Sequence, residues 1–545
     1  MKKIIAGAVI VTLAATPWVS SDALIVPKII ILTSISFFIL PELIVSLKSW
    51  LSNKILLGIL LISTSFVIQM IIVMLRSDAP IEQQLYGRTG RGLGFLTYIS
   101  LIIILLYTVK IVTYFDLTRI FQGVFISCTL SSIYSILQFF GIDFSDWRTQ
   151  TNGIIGTIGN PNFQSSFVAI AFIPTLAYLW SVRYKYFLIG LVGSVLLFTL
   201  YICESTQGYI ALAAALALFA LLKLWYLKSR IMFMAALLII FVSGLIAIAG
   251  MLNKGPLAYY LYKVSVRSRG EMWDTAISMV KDNLLFGVGL DSVGDYSLKY
   301  RSQKTANGID EYIDNVHNYF LQFAAMGGVI LAILYFLIVL LTLYSLIILL
   351  RRKSVFDSNL AALAAAWLSF QLQSLISPAA IPTLLWNFVI SGAIIGLAAG
   401  LDTEGLFKGI EIQQNMKSSN RLWTRSLSYP LVIFALVLTV PLFNADKLAR
   451  EADNKKDALL AIKAANAFPE SVIRYNRLGA GLYESGLYDL SLEIGRSAVK
   501  FNPNSYLTWI LILLNPNAAY DERVVAKERL IEIDPYNKLI KDYKF

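Results

Sequence analysis

Apolar runs separated by short polar stretches recur from the N-terminus to about residue 445, where the pattern changes. Crossing a bilayer takes on the order of 20 apolar residues. The runs therefore predict spanning helices near 4–20, 24–47, 55–75, 94–114, 117–140, 162–182, 186–203, 207–227, 231–252, 317–350, 359–378, 381–402 and 427–445. The expected fold class is all-α: a polytopic transmembrane helical bundle of about 13 spans over residues 1–445. It carries a long polar loop near 253–316 and a soluble helical domain over 446–545. The first run follows Met1-Lys2-Lys3 and stops before Ser20-Ser21-Asp22-Ala23. It reads as a cleavable signal peptide or as a first span, with the span preferred.

Charge gives the bundle an orientation. With the N-terminus in the cytoplasm, the inside loops hold Lys48 and Lys54, Lys110 and Arg119, Arg183 and Lys185, Lys223, Lys228 and Arg230, Arg351 to Lys353, and Lys408 to Arg425. The short outside loops hold only Arg76, Arg88, Arg91 and Arg148. This bias keeps its sign along the whole chain, as the positive-inside rule requires. The loop 253–316 and the tail are then both extracytoplasmic. Composition agrees with a membrane protein: 57% hydrophobic and only 15% charged residues, against roughly a quarter charged in soluble domains. The net charge of +12 follows from the topology loops and does not call for nucleic acid. Cys128 and Cys203 lie in apolar runs, without a disulfide framework or CxxC motif.

In the tail, Pro469, Pro503 and Pro535 recur at spacings of 34 and 32 residues, each after a helical stretch. Leu478-Gly479, Tyr483, Gly486, Tyr488 and Ala498 fall between the first two. This pattern resembles the tetratricopeptide repeat, in which stacked helix pairs form an α-solenoid with a groove for a protein partner. A helical cap without a partner reads equally well.

His317 is the one histidine of the chain, where the polar loop enters a span: Asp314-Asn315-Val316-His317-Asn318-Tyr319-Phe320-Leu321-Gln322. Imidazole titrates close to neutral pH, so a catalytic role competes with that of a simple interfacial tether. Three further segments stand out. Gly156-Thr157-Ile158-Gly159-Asn160-Pro161-Asn162 sits at a span mouth and reads as a turn with free backbone N–H groups. Ser268-Arg269-Gly270-Glu271-Met272-Trp273 opens a helix on which Trp273, Ile277 and Val280 share one apolar face. Arg269 is expected at its start, where N–H groups favour anions. Phe286-Gly287-Val288-Gly289 is a glycine-rich turn, not a dinucleotide fingerprint. Asp310, Glu311 and Asp314 lack convincing metal-ligand spacing. They read as a solvated loop face or as a partner that tunes His317, and no metal or cofactor is expected. Asp143 and Asp146 beside Trp147 read as loop.

Taken in order, Gly-Thr-x-Gly-Asn-Pro-Asn, Arg-x-x-x-Trp, Phe-Gly-Val-Gly and His-Asn-x-x-Leu-Gln resemble the O-antigen ligase family over roughly residues 80–400. The resemblance implies an inverting, membrane-embedded glycosyltransferase in a bacterial cytoplasmic (inner) membrane. It moves a glycan from undecaprenyl diphosphate to an acceptor on the periplasmic side, the lipid A core being the best known. Polymerisation of repeat units or glycosylation of protein is the alternative within the family. His317 matches the essential histidine, and Arg269 the arginine thought to hold the diphosphate. Asn160, Asn162, Trp273, Asn318 and Gln322 fall in the matching motifs as substrate-binding candidates. The family's second arginine is replaced by Gln207, in Ser205-Thr206-Gln207-Gly208, which carries no charge. Arg88 or Arg91 is the candidate to substitute. An acidic residue common nine positions after the histidine is Met326 here.

Two readings outside this class compete: a transporter of lipid-linked glycans, and an assembly scaffold working through the tail. Transporters place polar residues near the midplane, whereas these motifs gather at one interface.

Overall fold

A computed structural model describes the chain except residues 146, 148–152, 262–263, 304–305, 307–312 and 402–417. The architecture is all-α. Each of the thirteen expected runs carries a helix, and ten of these are long and apolar enough to cross a membrane. The other three, Lys2–Leu13, Phe95–Ile111 and Ser358–Ser374, have 12, 17 and 17 residues. At 1.5 Å per residue, 12 residues make about 18 Å of helix. The run 4–20 thus forms a helix only over its first part, and the remainder is turn.

Ile381–Ala399 is the central helix, buried along its whole length. Phe95–Ile111 crosses it closely. A Cβ on Gly392 would lie 2.8 Å from the Leu105 carbonyl oxygen, and one on Gly396 2.5 Å from that of Val109. Small residues let backbones meet where lipid supplies no hydrophobic drive. The first helix packs into the same core through Ile4, Ala8 and Val11, and Trp386 Nε1 donates to Thr12 Oγ1 at 3.0 Å.

Polar contacts collect at two opposite ends of the bundle. At one end Glu42 accepts from Lys3 and Tyr107, and Asp357 from Tyr114. At the other lie the 16–25 loop, the 88–93 loop and the segment leading to His317. There Asp22 accepts from the Gly90 amide at 2.8 Å, and its own amide donates to Asp446 at 2.8 Å.

The helix after the histidine, Tyr319–Arg352, is broken at Gly328, whose φ of 78° and ψ of 170° are not helical. A break exposes carbonyls that need donors, above all at membrane depth. The glycine-rich turn supplies them. Val288 N donates to Ala325 O at 2.9 Å, and Gly289 N to Met326 O at 3.1 Å. In return Val329 N donates to Leu284 O at 2.8 Å. Gln69, a polar residue inside the Lys54–Arg76 span, reaches Leu285 O at 2.9 Å and Gly327 O at 3.3 Å. Phe-Gly-Val-Gly is thus the plug of a broken helix.

The long final helix Ser418–Lys455 passes the expected boundary at 445 without interruption. An α-helix needs a breaker to stop it, and no Gly or Pro stands between Asn444 and Lys455. Ala449 and Ala452 on its last turns pack with Ala461, Ala464, Tyr475 and Leu478 of the helices that follow. Those are Ala458–Ala465, Val472–Glu484, Tyr488–Phe501, Tyr506–Leu513 and Tyr520–Ile533. Pro469, Pro503 and Pro535 all fall in connections between helices.

Candidate active site at the start of the broken helix

His317 sits in a turn that its neighbours build. Asn318 is the N-cap of the broken helix and accepts from the Phe320 and Leu321 amides at 3.1 and 3.0 Å. Such a cap satisfies helix donors that otherwise have no partner. Gln322 Oε1 reaches back to the Val316 amide at 3.0 Å, and Asn315 Oδ1 accepts the amide of His317 itself at 2.9 Å. Val316 and Tyr319, on either side, are buried in the core. Held at four points, His317 adopts a φ of 55°, a left-handed conformation that L-residues other than Asn, Asp and His seldom take. Asn318 and Gln322 were expected to bind substrate; the structure turns both onto the backbone, where they fix the histidine. Asn315 was not singled out, although an Asn two residues before a turn residue is a recognisable signal.

The imidazole is largely buried, and its Nδ1 has no hydrogen-bond partner among the described residues. Burial pushes its pKa down to about 4; the cations Arg91 and Arg269 push the same way, and Asp314 opposes them. The imidazole is therefore neutral at physiological pH and able to accept a proton.

Arg91 grips Asp314 in bidentate fashion, Nε to Oδ2 at 3.0 Å and Nη2 to Oδ1 at 2.8 Å. Burial would raise the Asp314 carboxyl, but Arg91 holds it below its ordinary value. Both partners keep part of their surface in solvent. Asp310 and Glu311 lie outside the described residues, as does Asp146.

Arg269 lies on the helix Val264–Asp282. That helix begins more than a turn before the arginine, so Arg269 is not at its N-terminus; no breaker stands between Val264 and Arg269. The apolar face also differs from expectation. Met272, Ala276 and Met279 are the buried positions, while Ile277 is 40% exposed. The helix rests on the broken helix, whose own apolar surface selects the Met272 face. Trp273 is half-buried at the edge of the core. Arg269 is half-buried, its Nε has no partner among the described residues, and burial lowers its pKa. A guanidinium stays protonated at neutral pH even so.

Arg88 goes elsewhere. Its side chain is 5% exposed and faces Asp295, 1% exposed, at 3.3 Å. Asp295 also accepts from Gln83 at 2.8 Å. Asp291 clamps the same loop by accepting the Arg88 and Leu93 amides at 2.8 and 3.1 Å. Arg88 is thus a scaffold cation, and Arg91 is the one that faces the histidine. Replacing Arg88 by Ala strands a buried carboxylate and is expected to cost about 3–5 kcal/mol. Arg91→Ala breaks a partly exposed pair and is expected to cost under about 1 kcal/mol. Thermal unfolding of the two purified variants checks the contrast.

The Asn160 motif forms a second cluster. Asn160 caps Pro161–Trp180 by accepting the Asn162 amide at 2.8 Å, and Asn162 Oδ1 accepts from Ser205 at 2.8 Å. Gly156 N donates to Gln138, and Thr157 to Ser131. Gln207 is buried, with its Oε1 unpartnered among the described residues. No hydrogen bond or ion pair joins this cluster to His317 among the described residues. It borders an open cleft of about 930 Å³ lined in part by Gln138, Asp143, Trp147, Pro161 and Glu204.

Residues 189–336 match the family model described as O-antigen ligase. The match holds Gln207, Arg269, Trp273, the glycine-rich plug and His317 through Gln322, and leaves out Arg88, Arg91, Asn160, Asn162 and the tail. No curated protein matches the chain.

Proposed function

We infer the reaction of this chain from its place in the O-antigen ligase family, established through residues 189–336: it transfers a glycan from undecaprenyl diphosphate to an acceptor hydroxyl on the extracytoplasmic face. The neutral imidazole of His317 in the field of two arginines carries this reading. Breaking a sugar–diphosphate bond leaves an anionic group, whose charge must be met as it develops. Arg269 is the first clamp on that diphosphate, because its planar fork fits phosphate in bidentate fashion. Arg91 stands where a second cation is needed and exchanges part of its grip on Asp314 for phosphate oxygen. His317 takes the proton from the acceptor hydroxyl as that oxygen attacks the anomeric carbon from the face opposite the diphosphate, giving inversion.

The acceptor is lipid A core, a growing polysaccharide or a protein. The open cleft beside the Asn160 motif is a suitable seat for its sugar. With the N-terminus cytoplasmic, the histidine end of the bundle and the tail face the periplasm. The tail helices read as tetratricopeptide-like units, with a protein partner as their further role. A transporter is the weaker reading, since the charged groups sit at one end of the bundle.

The test uses purified protein and a lipid-linked oligosaccharide. Arg269→Ala is expected to abolish transfer. Arg269→Lys is expected to lose most of it, because the bidentate fork is gone. Wild-type transfer by Arg269→Lys would show that bulk charge alone suffices. Wild-type transfer by Arg269→Ala would remove the diphosphate assignment.

A further inference from the structure

The segment that carries His317 is fastened at its far end by residues 200 positions further along the chain. Helix Val293–Tyr300 belongs to the polar loop. Its Leu298 is buried not with the bundle but with Leu492, Trp509, Ile512, Ala526 and Leu530 of the C-terminal helices. Asp295, on the same helix, accepts from Asn502 Nδ2 at 3.1 Å, besides Arg88 and Gln83. Asn504 donates to Tyr296 at 3.1 Å. Just past this helix, Arg301 makes a bidentate pair with Asp534 at 2.7 and 2.8 Å, with the two side chains 10% and 2% exposed. His317 follows sixteen residues later.

The contacts form two routes from the tail to the histidine. One runs along the chain from Arg301. The other runs from Asn502 through Asp295 to Arg88, and so to the loop whose Arg91 holds Asp314. We propose that the C-terminal helices act as a clamp on the histidine-bearing loop, with Asn502 and Asp534 as positioning residues. The tail is then part of the active centre and not merely a module for partners. A buried ion pair gains little net stability over an apolar packing, but it is costly to break and it specifies one arrangement. That is what a positioning contact requires. The site that is positioned is the one proposed above, so the test needs a readout that does not assume catalysis.

The single histidine of the chain supplies it. Diethyl pyrocarbonate acylates neutral imidazole, so the modification rate of the purified full-length protein reports on His317 alone. The groups facing it are Arg91, Arg269 and Asp314. In wild type the rate is expected to be slow, with a midpoint near pH 4. In Asp534→Asn the rate at neutral pH is expected to rise several-fold, and the midpoint to move up toward the ordinary histidine value of about 6.5. Asn502→Ala removes only a neutral hydrogen bond and is expected to shift both in the same direction; it decides the matter should Asp534→Asn fail to accumulate. The exchange Arg301→Asp with Asp534→Arg is expected to restore the wild-type profile. Partial unfolding would add a fast-reacting fraction without moving the midpoint of the rest. Wild-type rates and midpoints in both single variants would overturn the clamp. So would a shifted midpoint with glycan transfer unchanged. Transfer that survives loss of His317 would instead overturn the catalytic reading and leave the modification result standing.

Discussion

His317→Asn is expected to leave the protein folded and to lower glycan transfer by a factor of about 10²–10⁴, the usual contribution of a positioned general base. Asparagine is the informative replacement because the residue holds a φ of 55°. Asn tolerates that region better than Ala does, so the turn survives and only the base is lost. The pH dependence follows from burial. An imidazole pushed down to about 4 stays neutral, and competent, throughout the range above that value. Transfer should therefore fall on acidification only near pH 4, not near 6.5. The same shift acts on stability: below about 6.5 the unfolded chain binds the proton and the folded one does not, so stability declines as pH falls from there toward 4. A transfer profile with its acid limb near 6.5 in wild type would count against a buried base, and unimpaired transfer by His317→Asn would end the assignment.

Gly287→Ala is expected to abolish transfer by a different route. Gly287 has a φ of 62°, and a Cβ there would lie 2.4 Å from both Gly327 N and Met326 C. Those atoms are backbone and cannot swing aside. The turn would have to withdraw from the break at Gly328, leaving the Ala325 and Met326 carbonyls without the amides of Val288 and Gly289. Each buried polar group so stranded costs about 1–3 kcal/mol, and a left-handed alanine adds about 1 kcal/mol or more. The first turns of the helix, with the Asn318 cap and His317, would lose their support. The expected result is a variant with low yield or a lowered melting temperature and no activity. Full transfer with unchanged melting would show that the plug does not hold the site.

These two variants also mark where the sequence was legible. The spans were readable because apolar runs at membrane length have few alternative meanings, and His317 because a single imidazole at a loop–span junction is conspicuous. The roles inside the motifs were less readable. Asn318 and Gln322 are polar residues beside a catalytic candidate, and nothing in their spacing tells a substrate ligand from a backbone cap. The choice between Arg88 and Arg91 depended on Asp295 and Asp314, more than 200 positions away in the chain. The glycine-rich turn was opaque because its partner is a break inside a helix that looks uninterrupted in hydropathy. Gln69 was passed over for the same reason: one amide in an apolar run has no meaning until the carbonyls it serves are seen. The boundary at 445 was drawn from composition, but the helix there continues, since a change in polarity does not end hydrogen bonding along a helix.

The central helix Ile381–Ala399, pressed backbone to backbone on Phe95–Ile111 at Gly392 and Gly396, has a bearing on cargo. A carrier that exposes its load first to one compartment and then to the other works by rocking one half of its bundle against the other. Here such rocking would have to pry apart the tightest seam in the molecule. A sugar chain that arrives on its lipid is met, joined to its acceptor and released without ever passing between those two helices.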